Sequence, residues 1–253
     1  MTENEHYPES FYATRNARSK ASADTILALA LEYLPPIESV VDYGCGVGTW
    51  LASAKALGVA RVHGYEGRWL DPELLEIERD EFSFADFAER IAPEEGTAAD
   101  LAISLEVAEH LPSACADEFV ALLARSADFV LFSAAIPGQG GKGHVNGQWP
   151  EYWISRFEAR GFVAFDALRP RIWADTRIRP WYRQNVLLFV RRERIAETSL
   201  DVHDPKLAPR ALVHPSIYEA VLAKERARLA EQTSVAGAWR NLRRALFNRT
   251  PRG

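Results

Sequence analysis

Residues 40–50, Val-Val-Asp-Tyr-Gly-Cys-Gly-Val-Gly-Thr-Trp, decide the fold of this chain. The apolar residues before Gly44 predict a buried strand, and the three glycines at alternate positions predict a tight turn into a helix. Glycine tolerates positive φ and lets a ligand approach bare backbone, while the start of the following helix offers free N–H groups. At the carboxyl end of a parallel strand, such a turn marks the ligand crevice of an open α/β sheet.

Apolar runs and helical periodicities alternate along the rest of the chain. Besides residues 39–43, we predict strands at residues 61–65, 82–85, 101–105, 129–133, 162–165 and 186–190. Helices are predicted at residues 21–34, 50–57, 72–78, 112–125 and 150–160. Strands separated by helices indicate a mainly parallel sheet with helices on both faces.

The composition is that of a globular protein with a modest negative charge. The formal net charge of −5 argues against a general attraction to nucleic acid. The two cysteines, Cys45 and Cys115, match neither a disulfide framework nor a zinc-ligand spacing. Residues 1–9 do not resemble a signal peptide, and no run of about 18 apolar residues predicts a membrane span. We therefore expect a cytoplasmic protein.

Three regions are predicted: a helical lead-in at residues 1–36, a ligand-binding core at residues 37–192, and a helical, basic tail at residues 193–253. The bases of the tail from residue 214 onward are Lys224, Arg226, Arg228, Arg240, Arg243, Arg244, Arg249 and Arg252. The tail is interpreted either as a solvated terminal helix or as a contact for a partner, a membrane surface or RNA.

The spacing of the glycines in this turn distinguishes between two classes of cofactor-binding site. A dinucleotide fold expects a glycine at the sixth position from Gly44, where this chain has Thr49. The pattern D-x-G-x-G-x-G instead resembles motif I of the class I S-adenosylmethionine-dependent methyltransferases. The resemblance covers about residues 40–190. It implies S-adenosylmethionine as cofactor and an α/β fold: a Rossmann-like, doubly wound, mainly parallel seven-stranded sheet with one antiparallel strand.

The same resemblance implies which residues bind the cofactor. The glycine turn would pack against the methionine and ribose parts, and Asp42 would position the loop or the amino group. Glu66, at the end of the second strand, would accept hydrogen bonds from the ribose hydroxyls. Asp86 matches the adenine-binding acid, although a helix N-cap would look the same. The full predicted set is Asp42, Gly44, Cys45, Gly46, Gly48, Thr49, Trp50, Glu66, Asp86, Phe87, Leu105 and Glu106.

Candidate catalytic residues follow the fourth and fifth predicted strands. His110, next to Glu109, is the leading candidate base because an imidazole has a pKa of about 6.5; a structural histidine is the alternative. In the glycine-rich loop at residues 138–150, His144 and two amides stand at alternate positions, Asn146 and Gln148, before three aromatic residues, Trp149, Tyr152 and Trp153. With these aromatics as an apolar wall, the loop suits a hydroxylated ligand such as a sugar, and it loosely resembles bacterial glycan and secondary-metabolite methyltransferases. The alternative is a flexible surface loop capped by a packed tryptophan.

A long connection at residues 167–184 replaces the short hairpin that the resemblance implies. Its arginines and aromatics are Arg169, Arg171, Arg177, Arg179, Arg183, Trp173, Trp181 and Tyr182. Arginines beside aromatic rings suit a phosphorylated or carboxylated acceptor such as a nucleotide sugar. A solvated loop with one packed tryptophan is the alternative.

We predict an S-adenosylmethionine-dependent methyltransferase that acts on an oxygen of a small polar or sugar-like acceptor, with His110, Glu109 and His144 as catalytic residues. Two alternatives remain. Glu106-x-x-Glu109-His110 with His144 resembles the metal-binding set of the small-RNA 2′-O-methyltransferases, but the negative charge weighs against RNA, and no residue is assigned to a metal. A catalytically silent scaffold is disfavoured by the intact glycine turn with Glu66 and Asp86.

Overall fold

The computed structural model describes residues 9–87 and 98–233, and residues 9–18 by their backbone alone. The helices are α1 (Glu9–Leu31), α2 (Thr49–Ala56), α3 (Ala116–Ser126), α4 (Pro150–Glu158), α5 (Arg169–Ile172), α6 (Pro180–Asn185) and α7 (Pro215–Thr233). The strands are β1 (Ser39–Tyr43), β2 (Arg61–Glu66), β3 (Phe82–Phe84), β4 (Leu101–Leu105), β5 (Phe129–Ser133), β6 (Phe162–Phe165) and β7 (Leu187–Arg191).

The strands form one seven-stranded sheet in the order β3-β2-β1-β4-β5-β7-β6. β7 runs antiparallel to both of its neighbours, and the other pairs are parallel. The predicted fold, mainly parallel with one antiparallel strand, is confirmed. The strand order reverses between β1 and β4, so a crevice is expected beyond the carboxyl ends of these two strands.

Both faces of the sheet are buried, which explains why its strands are continuous apolar runs. Val40 lies in a core cluster with Ile26 of α1 and Leu51 of α2. The next residue, Val41, lies in a second cluster with Phe119 of α3 and Phe157 of α4. Successive side chains of a strand point to opposite faces, so the two helix pairs cover opposite sides of the sheet.

The predicted helix at residues 72–78 is wrong. The structure forms two short 3₁₀ turns there, Pro72–Leu74 and Arg79–Glu81. Between them, the backbone N–H of Glu76 donates to the carbonyl of Val47 at 2.7 Å, and Ile77 packs against Gly48. This segment is therefore shaped by its contact with the glycine turn rather than by its own helix propensity.

The chain divides into two compact units, one that ends at His214 and one that begins at Pro215. The predicted boundary at residue 193 thus falls inside the first unit, where the N–H of Asp166 donates to the carbonyl of Leu207 at 2.8 Å. The described part of the tail is a regular helix only from Pro215, in α7, whereas residues 193–214 form short 3₁₀ turns and loops. Five of its predicted bases lie outside the described residues: Arg240, Arg243, Arg244, Arg249 and Arg252. Within the described ranges, no helix is long and apolar enough to cross a membrane.

Candidate functional site

The glycine turn is fixed to the end of β2 by its backbone. The N–H groups of Gly44 and Cys45 donate to the carbonyl of Tyr65 at 2.8 and 3.0 Å. Gly44 has a φ of 91°, and a Cβ atom there would lie 2.3 Å from Cγ2 of Val107. Only glycine meets both conditions, because an L side chain would be strained and would collide.

The other two glycines of the motif have different surroundings. Gly48 has a φ of 87°, and its Cβ would lie 2.9 Å from Cγ1 of Ile77, so this glycine is also required by packing. At Gly46, a Cβ would meet no described atom within 4 Å. Gly46 therefore borders open space at the carboxyl end of β1, where a ligand can approach the backbone.

Two carboxylates stand beside the glycine turn, the half-buried Glu66 and the buried Asp42. Glu66 accepts hydrogen bonds from the backbone N–H of Gly46 at 2.9 Å and of Gly67 at 2.8 Å, so it braces the turn. Burial raises the pKa of Glu66, and burial together with the charge of Glu66 raises the pKa of Asp42 well above its ordinary value. Such desolvated acids favour a ligand that brings positive charge and hydrogen-bond donors. The ammonium, sulfonium and ribose hydroxyls of S-adenosylmethionine fit this requirement.

Three further predicted cofactor residues lie at the start of α2 or just before it. Thr49 and Trp50 are buried, and the ring of Trp50 meets that of Tyr182 edge-on at 5.2 Å. The thiol of Cys45 packs in the core, where a Cβ on Gly64 would lie 2.7 Å from its sulfur. The side chain of Cys45 therefore serves packing, and its part in the site is limited to its backbone.

The predicted adenine side follows β3. Asp86 is half-buried there. The ring of Phe87 packs against Tyr43 and Phe119, with centroids 6.0 and 5.4 Å apart. The residues that a helix cap at Asp86 would serve lie outside the described ranges, so both interpretations of Asp86 stay predictions.

Glu106 follows Leu105, which is the last residue of β4 and is buried. Among the described non-glycine residues, Glu106 is the one with a positive φ, 58°. Its carboxylate accepts hydrogen bonds from Asn185 at 2.9 Å and from Gln139 at 3.0 Å. Gln184 in turn donates to Gln139 at 2.8 Å. Backbone strain of this kind persists where the surroundings hold a residue firmly, commonly at functional sites.

The three amides around Glu106 were missed by sequence reasoning. Gln184 and Asn185 are buried directly before β7. Because β7 runs antiparallel to β5, the residues that precede β7 lie at the carboxyl end of β5 and so reach the crevice. Two consecutive amides before the apolar run at residues 186–190 are the signal that could have identified them.

Glu109, His110 and His144 are brought together at this end of the sheet. Glu109 is fully buried, and neither of its carboxylate oxygens has a hydrogen-bond partner among the described residues. Burial and the charge of Glu106 raise the pKa of Glu109 to about 9, against a smaller opposite effect of nearby backbone N–H groups. The rings of His110 and His144 meet at right angles with centroids 4.8 Å apart.

The glycine-rich loop is docked onto this cluster by its backbone. The N–H groups of Val145 and Asn146 both donate to the carbonyl of Glu109 at 2.9 Å. A Cβ on Gly141 would lie 2.2 Å from Nε2 of His144, so glycine at this position leaves room for the imidazole. The loop thereby carries His144 to within 3.8 Å of the Glu109 carboxylate.

The other polar and aromatic residues of the loop divide into two groups. Asn146 is buried, accepts a hydrogen bond from Gln148 at 3.0 Å, and has a side-chain nitrogen without a partner among the described residues. Trp149 is 43% exposed, next to the loop. Trp153 instead packs in the core against Phe132, which agrees with the packed-tryptophan alternative and not with a wall at the ligand.

The arginine-rich connection folds into α5 and α6, and its arginines bind within the protein. Arg169 is buried and forms a double hydrogen bond with Asp166 at 2.6 and 2.8 Å, which corrects its predicted contact with an acceptor. Arg183 is also buried. The remaining contacts are Arg171 with Glu32, Arg177 with Asp175, Arg183 with the carbonyl of Trp173, and Arg179 over the ring of Trp181. These contacts weaken the case for a phosphorylated acceptor held by this segment.

Comparison with solved structures gives the fold alone, because every identity considered is below 25%. A chain of the complex between a methyltransferase activator and a methyltransferase from Haloferax volcanii is 16% identical with a TM-score of 0.50, covering 72% of this chain and 95% of that one. Magnesium protoporphyrin IX methyltransferase from Synechocystis PCC 6803 with bound SAH is 19% identical with a TM-score of 0.49, covering 75% and 90%. An amino pentose methyltransferase from Micromonospora echinaspora is 16% identical with a TM-score of 0.47, covering 76% and 100%.

Sequence comparison gives the family. No curated protein matches the chain significantly. A family described as a methyltransferase domain matches residues 13–165, more than half of the chain, and this stretch contains the glycine turn, Glu66 and the His110–His144 pair. The chain therefore belongs to this methyltransferase family and is an enzyme that uses S-adenosylmethionine.

Proposed function

We propose that the enzyme transfers a methyl group to a hydroxyl oxygen of a small, sugar-like acceptor. The observation that carries this proposal is the pair His110 and His144, which stands at the carboxyl ends of β4 and β5. This is the edge of the sheet at which the glycine turn also lies, so methyl donor and acceptor would meet there. His110 is exposed and His144 is half-buried, so an acceptor can reach both rings.

For methyl transfer, the protein needs only to place the acceptor oxygen against the methyl group and to accept the hydroxyl proton. S-adenosylmethionine supplies, when bound, a methyl carbon on a sulfonium. The acceptor oxygen forms a bond to that carbon as the carbon–sulfur bond breaks, the electron pair stays on sulfur, and the hydroxyl proton leaves toward the histidine pair. Burial and the charge of His110 lower the pKa of His144, so its imidazole is neutral and able to accept a proton at neutral pH.

The loop around His144 supports a hydroxylated acceptor. The buried side-chain nitrogen of Asn146 is a donor for which the described residues provide no acceptor, and a buried donor of this kind gains from a ligand oxygen. The half-exposed ring of Trp149 is an apolar surface on which a sugar face can pack. A net charge of −5 and the internally bound arginines favour such an acceptor over nucleic acid.

A panel of acceptors tests the proposal. The full chain is incubated with S-adenosylmethionine that carries a deuterated methyl group and with glycosides, nucleotide sugars, amino sugars or total RNA. We expect the label on a hydroxyl oxygen of a glycoside or nucleotide sugar, located by mass spectrometry and NMR. Label on RNA would establish the ribose alternative instead, and label only on nitrogen or carbon would contradict O-methylation.

A further inference from the structure

Glu109, His110 and His144 form the one group of acidic, histidine and cysteine side chains among the described residues whose ligand atoms converge. One atom from each lies within 4.8 Å of the others. The three side chains come from two separate segments, the turn after β4 and the loop after β5. Their convergence is therefore produced by the fold and not by proximity in the sequence.

Among the described residues, the Glu109 carboxylate lacks the hydrogen bonds that a structural role would provide. Oε1 of Glu109 and Nε2 of His144 face each other at 3.8 Å, which is too long for a hydrogen bond. Both oxygens of this fully buried carboxylate lack a partner among the described residues. A buried polar group without a hydrogen-bond partner is costly unless something outside the protein chain pairs with it.

We infer that Glu109, His110 and His144 bind a divalent transition-metal ion. Two imidazoles and one carboxylate are a common ligand set for zinc and its neighbours, whereas Mg²⁺ prefers oxygen ligands and retains its water. The preferred sequence prediction assigned no residue to a metal, and a metal at Glu106, Glu109, His110 and His144 was one of its alternatives. Glu106 is not included, because its carboxylate is held by Asn185 and Gln139.

The geometry requires only a small closure around the ion. Ligand atoms bound at about 2.1 Å lie at most about 4.2 Å apart, so the widest pair would approach by about 0.6 Å. A rotation of the exposed His110 ring can provide this movement. Three protein ligands leave coordination positions open, as in sites where a metal contacts a substrate.

The part that the ion plays in methylation rests on the proposed function. An acceptor hydroxyl that binds at an open position loses its proton more easily, because the positive charge stabilises the alkoxide. The proton would then pass to solvent, and the oxygen would form its bond to the methyl carbon as the carbon–sulfur bond breaks and its electron pair stays on sulfur. With the ion bound, the histidines hold it and place the oxygen; without it, they accept the proton as in the proposed function.

Manganese binding to the full chain is the test, because Mn²⁺ is detected by electron paramagnetic resonance without acceptor or cofactor. After treatment with EDTA, we expect the wild type to bind one Mn²⁺ and the Glu109→Gln and His144→Ala variants to bind it at least about 100-fold more weakly. His203→Ala, a change at an exposed histidine outside the cluster, should bind as the wild type does. Zn²⁺ should displace Mn²⁺, and equal Mg²⁺ should not.

The inference is overturned if the wild type binds no Mn²⁺, if the two cluster variants bind it normally, or if Mg²⁺ displaces it as well as Zn²⁺ does. Glu109→Gln preserves the shape of the buried group, and its thermal unfolding shows whether the variant is folded. Full methylation after EDTA treatment would remove the catalytic role and leave O-methylation intact. Mn²⁺ binding without any O-methyl product would support the metal site and contradict the proposed O-methylation.

Discussion

The two sides of the crevice are built in different ways. On the cofactor side, backbone groups and close packing shape the turn, and the oxygens of Glu66 already accept hydrogen bonds from Gly46 and Gly67. On the acceptor side, side chains form the site. Two of them, Glu109 and Asn146, have buried polar atoms without a partner among the described residues. The first side is complete before any ligand arrives, whereas the second has groups that a ligand or ion would satisfy. We therefore expect mutations on the two sides to separate cofactor binding from turnover.

The largest effect is expected from Gly44→Ala. The new Cβ would lie 2.3 Å from Val107 at a φ of 91°, so the turn must move. We expect a loss of about 3 kcal/mol in the free energy of unfolding and at least about 100-fold weaker binding of S-adenosylhomocysteine, measured by denaturation and calorimetry.

Gly58→Ala is the matched control for this change. Gly58 has a φ of 97°, but its Cβ would meet no described atom within 4 Å. This variant should lose only about 1 kcal/mol of stability and should bind the ligand normally. Equal effects of the two variants would show that the collision with Val107 does not matter.

On the acceptor side, we expect mutations to lower turnover and to leave cofactor binding intact. His110→Ala and His144→Ala should each lower kcat by about 100-fold or more, the usual contribution of a group that activates a proton-bearing nucleophile. Their affinity for S-adenosylhomocysteine should stay within about twofold of the wild type, since a turnover effect need not touch the glycine turn. Normal turnover of both variants with the acceptor found in the panel would contradict the assigned roles.

A smaller change in turnover is expected from Gly141→Ala, which should displace the ring of His144 because its Cβ would lie 2.2 Å from Nε2. We expect kcat to fall about tenfold, the result of a misplaced but present imidazole. Gly140→Ala is the control, since Gly140 also has a positive φ, 79°, and its Cβ meets no described atom within 4 Å. If both variants lose the same activity, backbone strain in the loop is the cause and not the position of His144.

The smallest effect is expected from Asp42→Asn. Burial and the charge of Glu66 raise the pKa of Asp42, so the folded state holds the proton more tightly than the unfolded chain. The stability of the wild type should therefore fall as the pH rises from about 4 toward the folded-state pKa, and the amide should reduce this slope by the share that Asp42 contributes. The remaining slope comes from other acids whose pKa burial raises, Glu66 and Glu109 among them. Ligand affinity should weaken about fivefold, the value of one hydrogen bond of about 1 kcal/mol. Thermal unfolding at several pH values measures the first effect, and an unchanged slope would contradict it.

Much of the cofactor side could be predicted from the sequence, because its determinants are local. Glycines at alternate positions after an apolar strand predict a turn, and the four strands at residues 39–43, 101–105, 129–133 and 162–165 coincide with those observed. The helix predicted at residues 72–78 was wrong because Glu76 and Ile77 contact the glycine turn. Local periodicity does not reveal such a contact.

The acceptor side was predicted less completely, because its groups meet only in the folded chain. The residue pattern identified His110 and His144 but could not show that their rings lie 4.8 Å apart or that Glu109 is buried without a partner. The antiparallel strand β7 brings Asn185 to Glu106 across 79 positions of sequence. Burial of Arg169 likewise depends on Asp166 and on carbonyls that fold around it.

Thermal unfolding of the full chain with and without S-adenosylhomocysteine tests the central claim most directly. A ligand at about 100 times its dissociation constant stabilises a one-site protein by about 2.7 kcal/mol, a rise in Tm of several degrees. We predict this rise with S-adenosylhomocysteine, none with NAD, and its loss in Gly44→Ala. No rise with S-adenosylhomocysteine, or an equal rise with NAD, would contradict the account of the crevice as a methyl-donor site.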